Sequence, residues 1–380
     1  MTEETLADTQ LETLLETFTE LSAISGVSKK EKPVNAYIRQ SLKDLPFTVE
    51  EDSAGEIIGG NSGNLLIYPE SYSPEKPAIM LLAHMDTVRP TGESSIIRKE
   101  DRVESDGSGQ IGADNRMGIT ILLQLLKEWE ERGFSDLNAM ICFTVAEEIG
   151  LLGSYNLTIP DNIDMAFVFD SSKRPGTYIQ RCAGMYLFEA KVIGVSAHSA
   201  VQPEAGISAV EVMAQILSKL KFGKISDEVT SNIGMIKGGT ATNVIPGDCI
   251  AEGEVRAMSV DDLHELLNNY RKAFEDESKK LNASVKWSQE KDFAPYEIVP
   301  ESSQIRLLSE AMKNANLTPD PISYTGGSDA NVLNEKGVST INLGIGAQNP
   351  HSDHECILHK DFISSLNLAF QICRLALNKE

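Results

Sequence analysis

Apolar residues fall along this chain in two textures. Up to about residue 182, and again beyond about 293, short continuous hydrophobic runs alternate with stretches of helical spacing, whereas between those points polar and apolar positions alternate one by one. Continuous runs suit strands covered on both faces, and their alternation with helices builds a mostly parallel sheet. AIMLLAH at 78–84 is the clearest of them, joined by AMICFTV at 139–145, MAFVFD at 165–170 and STINLGIG at 339–346. Helices are expected over 3–22, 30–43, 115–131, 301–315, 328–336 and 359–377. The one over 115–131 spaces Leu122, Leu125, Leu126 and Trp129 along a single face, with Gly133 as its stop.

The middle section reads differently. YLFEAKVIGV at 186–195 has the period of two that marks a half-solvated strand, helices follow over 205–221 and 260–281, and strand-like stretches lie between them. That is the order of a compact sheet-and-helix unit with one wet face. The expected architecture is therefore an α/β catalytic domain formed by residues 1–182 and 293–380, interrupted by a smaller inserted α+β domain at 183–292. A length of 380 residues already favours two units over one core.

Charge narrows the partners. With 34 basic against 56 acidic residues the net charge is -22, which repels nucleic-acid phosphates and anionic lipid headgroups, so neither nucleic acid nor a membrane is expected as a partner. The acidic, amphipathic start lacks the basic and apolar regions of a signal peptide, and no apolar stretch is long enough to span a bilayer, so the expected location is cytoplasmic. Five scattered cysteines without paired spacing read as reduced thiols, Cys142 among them as a small buried hydrophobe.

Candidate chemistry gathers where apolar runs end. AIMLLAHMD ends in His84 and Asp86, FTVAEE in Glu147 and Glu148, MAFVFD in Asp170 and INLGIGAQNPH in His351. Open α/β sheets bind ligands beyond the carboxyl ends of their strands, so these hits converge on one site. One residue of the His84–Asp86 pair can ligate a metal while the other orients it. Asp114, in Gly-Ala-Asp-Asn before a helix, reads by itself as an N-cap. Glu147 and Glu148, if extended, point to opposite sides, so that one can bind metal and the other serve as a base. Two histidines, two aspartates and a glutamate are too many for one catalytic zinc with an open position and suit two divalent ions sharing a carboxylate. Oxygen and nitrogen donors favour zinc and leave cobalt and manganese open.

HMDTV, SDG followed by GADNRMG, AEEIG, an aspartate closing a buried run, and PHSDHE resemble, in order and spacing, the co-catalytic zinc family of peptidase T, the glutamate carboxypeptidases and acetylornithine deacetylase, most closely its peptidase T-like branch. The resemblance spans nearly the whole chain. It implies that Asp114 bridges two metals, that His84 and Asp170 complete one site and Glu148 and His351 the other, that Glu147 is the general base, and that Asp86 supports His84. His351 is preferred to His354 because it lies four residues before Glu355. The resemblance also implies a cis peptide between Asp114 and Asn115, and Asn115 departs from the aspartate that peptidase T carries there.

The insert resembles the family's lid, through which relatives dimerise. His198 would stabilise the oxyanion, Asn243 and Arg256 would hold a substrate carboxylate or carbonyl, and Gly326 and Gly327 would let backbone approach a small peptide substrate. Taken alone, a lone histidine is usually structural, and an asparagine or a glycine pair usually marks a turn. The implied reaction is removal of the N-terminal residue from tripeptides by a metal-activated water. An N-acyl-amino-acid deacylase or carboxypeptidase-type amidohydrolase is the alternative, and a non-catalytic metal-binding protein the remote one.

Overall fold

The computed structural model describes residues 3–378. The chain forms two compact units: Met1–Gln180 with Glu297–Ser323 and Ser328–Glu380, and Arg181–Tyr296 with Tyr324–Gly327. The second unit thus lies close to the expected insert but also takes four residues from what reads as catalytic domain. Ala183 N–H donates to the Tyr324 carbonyl (2.9 Å) and Arg256 Nη1 to that of Thr325 (2.9 Å), which holds the Gly326–Gly327 segment in that unit.

The first unit is built on a mixed sheet. Its centre is parallel, in the order Ala139–Thr144, Ala78–His84, Ile163–Ser171, Ser339–Gly344. Phe47–Glu51 and Leu65–Pro69 extend one margin and Thr177–Cys182 begins the other, all antiparallel. The parallel region is thus confined to the four runs of continuous apolar sequence. Ala78–His84 and Ala139–Thr144 are buried at every position, as strands covered on both faces must be.

Helix Ala113–Lys127 packs on Ala78–His84, and helices Glu3–Ser22 and His359–Leu377 pack on it in turn. The helix expected over 115–131 is both earlier and shorter than its apolar spacing suggests. Glu128 leaves helical geometry, and turns carry Trp129 into the core before Gly133, at φ +75°, reverses the chain. The expected helix over 205–221 also divides, into a single 3-10 turn at Pro203–Ala205 and a helix Ala209–Leu217 capped by the Ser208 hydroxyl.

The second unit is a five-stranded sheet in the order Gly223–Lys224, Val229–Gly238, Asp248–Ala257, Gly184–Ile193, Ser284–Phe293, antiparallel throughout. Helices Ala209–Leu217 and Val260–Lys280 cover one face, where Phe188, Ala190, Val192, Ala251 and Val255 are buried. No helix among the described residues is long and apolar enough to cross a membrane. All five cysteines are free, and Cys142 is buried.

Gly118 fixes how closely the helix Ala113–Lys127 meets the sheet. A Cβ there would lie 2.3 Å from the Phe169 carbonyl oxygen, 2.4 Å from Asn115 Oδ1 and 2.9 Å from Ala83 Cβ. Alanine normally gains about 1 kcal/mol over glycine inside a helix. Here overpacking of about 1–3 kcal/mol outweighs that gain. Gly118→Ala should therefore lower the midpoint of urea unfolding, and a raised midpoint would show that the helix can move off the sheet.

Candidate metal centre

The carboxyl ends of the parallel strands bring His84, Asp170 and the segment after Thr144 to one edge, and the start of helix Ala113–Lys127 places Asp114 beside them. His84 Nε2 faces Asp114 Oδ1 at 3.0 Å and Asp170 Oδ1 at 3.2 Å. The other Asp114 oxygen, Oδ2, lies 3.5 Å from His351 Nε2, which is 3.0 Å from Glu148 Oε1. Asp114 therefore stands between two donor groups, one oxygen toward each. His84, Asp114 and Asp170 form one cluster, Asp114, Glu148 and His351 a second, and His84, Glu147 and Glu148 a third. His354 joins none of the described clusters.

Donors about 2 Å from a shared zinc ion stand about 3–3.5 Å apart in tetrahedral geometry. The separations of 3.0–3.5 Å around His84 Nε2 and His351 Nε2 meet that requirement, so the residues fit two divalent ions. The two halves differ in wetness. The His84 side chain is 2% exposed and that of His351 is 47% exposed.

Local structure holds each group in place. His84 Nδ1 sits 3.1 Å from the Asp86 carbonyl and 3.4 Å from Asp86 Oδ1. Asp86, wholly buried, also accepts the N–H groups of Glu147 (3.0 Å) and Glu148 (3.2 Å) and the Ser28 hydroxyl (2.6 Å). Its carboxylate thus faces the histidine as expected and fastens the Glu147–Glu148 backbone as well, which the sequence did not suggest. The glutamate pair is not extended: the strand ends at Thr144, Ala146 turns left-handed at φ +51°, and the N–H groups of Gly150 and Leu151 return to the Glu147 carbonyl.

Asp114 is not a helix cap. Gly112 holds that position, and the Asp114 backbone is non-helical, joined to Asn115 by a cis peptide. Asn115 uses both ends of its amide, Nδ2 donating to the Phe169 carbonyl (2.9 Å) and Oδ1 accepting the Gly118 N–H (2.9 Å). A carboxylate could not make the first of these bonds. The turn before Asp114 hangs on the buried Glu355, whose Oε2 accepts the N–H groups of Ile111 (2.7 Å), Gly112 (2.8 Å) and Ala113 (3.3 Å).

Several site-forming residues gave no sequence signal. Ser28 and Glu31 sit in a polar run, GVSKKEK, that looks like surface. Arg116 is fully buried and donates to the carbonyls of Met85 and Ile24. Asp329, in the quoted TGGSDA stretch, is buried and accepts the Thr144 hydroxyl at 2.6 Å.

Of the residues expected to bind substrate, all in the second unit, His198 and Asn243 lie side by side, since Ser199 N–H donates to the Asn243 carbonyl (3.0 Å) and His198 bridges Val244. Both are exposed. Arg256 is already engaged: Nε and Nη2 grip Glu254 at 3.0 and 3.2 Å, and Nη1 grips Thr325. The glycine pair has a packing cause, because a Cβ would meet the Tyr324 ring at 2.7 Å from Gly326 and the Phe293 ring at 2.4 Å from Gly327.

Electrostatically the centre holds more acid than its histidines balance. Burial pushes the Glu147 carboxyl well above the carboxylate range, Glu148 up to about 7 and Asp170 up to about 6. Burial also acts on Asp114, but hydrogen bonds from His351 and His84 outweigh it and hold that carboxyl low. Hydrogen bonds to Asp114 and Glu148 raise His351 to about 10. Burial opposes a charge on His84, yet its bonds to Asp114, Asp170 and Asp86 win and raise it well above its usual value.

The family model for a peptidase dimerisation domain matches residues 183–282, and that for the M42 glutamyl aminopeptidases matches residues 97–179. An uncharacterized Bacillus subtilis protein, YqjE, is 26% identical over 360 residues, covering 94% of this chain and 97% of its own. A Staphylococcus aureus tripeptidase of known structure is 27% identical with a TM-score of 0.91, covering 97% of this chain and 99% of its own. The Bacillus cereus aminopeptidase PepT is 25% identical with a TM-score of 0.88, covering 96% and 98%.

Without metal, protons on the two imidazoles sit where cations would. Their raised pKa values keep them protonated at pH 7, so metal uptake must displace protons, and affinity should rise with pH toward about 10. Titrating zinc into metal-free protein by calorimetry, in buffers of differing ionisation enthalpy, should reveal proton release. Uptake without release would mean that the imidazoles are neutral beforehand.

Proposed function

This chain is a peptidase T-like member of the M20 metallopeptidase family, and from that premise we propose that it removes the N-terminal residue from short peptides, tripeptides above all, using two divalent metal ions held by His84, Asp114, Asp170, Glu148 and His351. The observation that carries this reading is the splitting of the Asp114 carboxylate between the two histidine-centred donor groups. Zinc suits these donors best, with cobalt and manganese able to replace it. When bound, the ions would polarise the scissile carbonyl and make water acidic enough to lose a proton near neutral pH.

Glu147 takes that proton and passes it to the leaving amine. A carboxyl pushed upward by burial is suited to both halves of the transfer, since it can hold the proton between them. Asp86 keeps the Glu147 backbone and the His84 ring in register. His198 accepts the Ala200 N–H on Nδ1 (3.2 Å), which leaves the proton of the neutral ring on Nε2. That exposed donor supports a role at the developing oxyanion. Asn243 holds a substrate carbonyl or carboxylate, and Arg256 does so by exchanging Glu254 for the substrate. The Gly326–Gly327 segment offers its backbone to the peptide.

Dimerisation through the second unit is part of the same reading. The strand Val229–Gly238 pairs on its outer side only with Gly223–Lys224, which leaves Met235 and Ile236 exposed along an open edge. A partner strand would cover it. Native mass spectrometry should give a dimer that Ile236→Lys weakens, and a monomer at micromolar concentration would exclude one.

Two measurements test the activity. Metal-loaded protein given free trialanine and its N-acetylated form should release alanine from the free peptide alone. Acetate release, or attack only on the blocked form, would make the chain a deacylase, and loss of the C-terminal residue from both would make it a carboxypeptidase. Glu147→Gln should keep both metals while kcat falls by about 10²–10⁴-fold. Undiminished turnover at full metal content would remove Glu147 from the role of base.

A further inference from the structure

The segment that presents Glu147 is secured in an unusual way. Four successive N–H groups donate to side chains brought from elsewhere: Val145 to Asn64 Oδ1 (3.0 Å), Ala146 to Glu31 Oε1 (3.0 Å), and Glu147 and Glu148 to the two oxygens of Asp86 (3.0 and 3.2 Å). Beyond the strand end, therefore, side chains decide where this backbone runs. The demand is greatest at Ala146, whose φ of +51° lies in the left-handed region that a residue with a Cβ avoids.

Glu31 is the side chain that meets it. Glu31 is completely buried, and its Oε1 accepts the Lys29 N–H (2.8 Å) together with that of Ala146, while Oε2 has no partner. A glutamate in a lysine-rich run would ordinarily lie in solvent. This one is drawn inward because its segment is tied to the site: Val27 bridges Thr87, the Thr87 N–H donates to the Gly26 carbonyl (3.1 Å), and the Ser28 hydroxyl donates to Asp86 (2.6 Å). One short stretch, Gly26–Glu31, thus serves Asp86 through Ser28 and Ala146 through Glu31. The buried Arg116 guanidinium acts electrostatically on both Glu31 and Asp86 from the helix that carries Asp114.

We propose that Glu31 is a positioning residue for the general base, holding Ala146 in its left-handed turn so that Glu147 is aimed into the metal centre. Glu31 touches neither substrate nor metal. Only its Oε1 does the holding, so an amide at this position keeps the function and an apolar side chain of similar length does not. The inference rests on Glu147 being the base.

The test compares Glu31→Gln, Glu31→Met and Glu147→Gln in metal-loaded protein with free trialanine. Glu31→Gln should stay within about threefold of the parent in kcat, while Glu31→Met should lose about tenfold or more, as expected when a reacting group is misplaced by a fraction of an ångström. KM and the metal content should not change in Glu31→Met, because the loss lies in the chemical step. Adding Ala146→Gly to Glu31→Met should restore part of kcat, since glycine enters the left-handed turn unaided. If Glu31→Met does not accumulate folded, Glu31→Asp, one methylene short of Ala146, should show the same loss. A folded Glu31→Met or Glu31→Asp that melts lower but keeps its kcat would overturn the proposal, as would loss of metal in either. If Glu147→Gln remains active, the reading of the base has failed; if Glu147→Gln is inactive and the Glu31 variants are not, only this inference has.

Discussion

Carboxylates crowded at a dry sheet edge repel one another, and the repulsion is relieved only where a cation or a hydrogen-bond donor stands between them. Asp86, Asp114, Glu147, Glu148 and Asp170 share such an edge, and the surrounding architecture answers that constraint. Histidines stand between Asp114 and its neighbours on both sides. Asp86 is supplied with two backbone N–H groups and a hydroxyl, so it remains charged in a place where burial alone would neutralise it. Glu355 is steadied by three N–H groups of the turn before Asp114. The acids left without enough donors, Glu147, Glu148 and Asp170, are those facing the centre itself.

Legibility in the sequence followed the same line. His84, Asp114, Glu148, Asp170 and His351 could be read because each closes an apolar run or belongs to a motif with fixed spacing, and the structure brings their donor atoms together. The central parallel strands could be read because burial on both faces forces a continuous apolar run. The antiparallel margins and the second unit's claim on Tyr324–Gly327 could not, because pairing direction and packing across hundreds of residues leave no periodic trace. Glu31 illustrates the limit well. Lysine neighbours make it look solvated, and only the long-range Val27–Thr87 bridge draws it inside.

Local rules misled where tertiary contacts overrode them. An aspartate before a helix normally caps it, yet here the cap falls on Gly112 and the Asp114 carboxylate is directed to histidines. Adjacent glutamates after a strand would diverge if the strand continued, but the left-handed Ala146 ends it and the following turn closes on the Glu147 carbonyl. Asn115 replaces the acid seen in peptidase T and finds a donor's task, an amide bond to the Phe169 carbonyl on the strand that delivers Asp170. The substitution thus ties the segment of one metal-binding aspartate to that of another.

The unequal burial of the two histidines gives the centre an inner and an outer half. An ion beside His84 would be enclosed by side chains that are almost wholly covered, whereas one beside His351 would lie against a ring nearly half open to water. Ligand exchange begins with an approaching water or chelator, so the outer ion would come and go far faster than the inner one. Occupancy of that half, and with it the working state of the enzyme, would follow the supply of free metal around it, while the inner ion behaved as a permanent part of the fold.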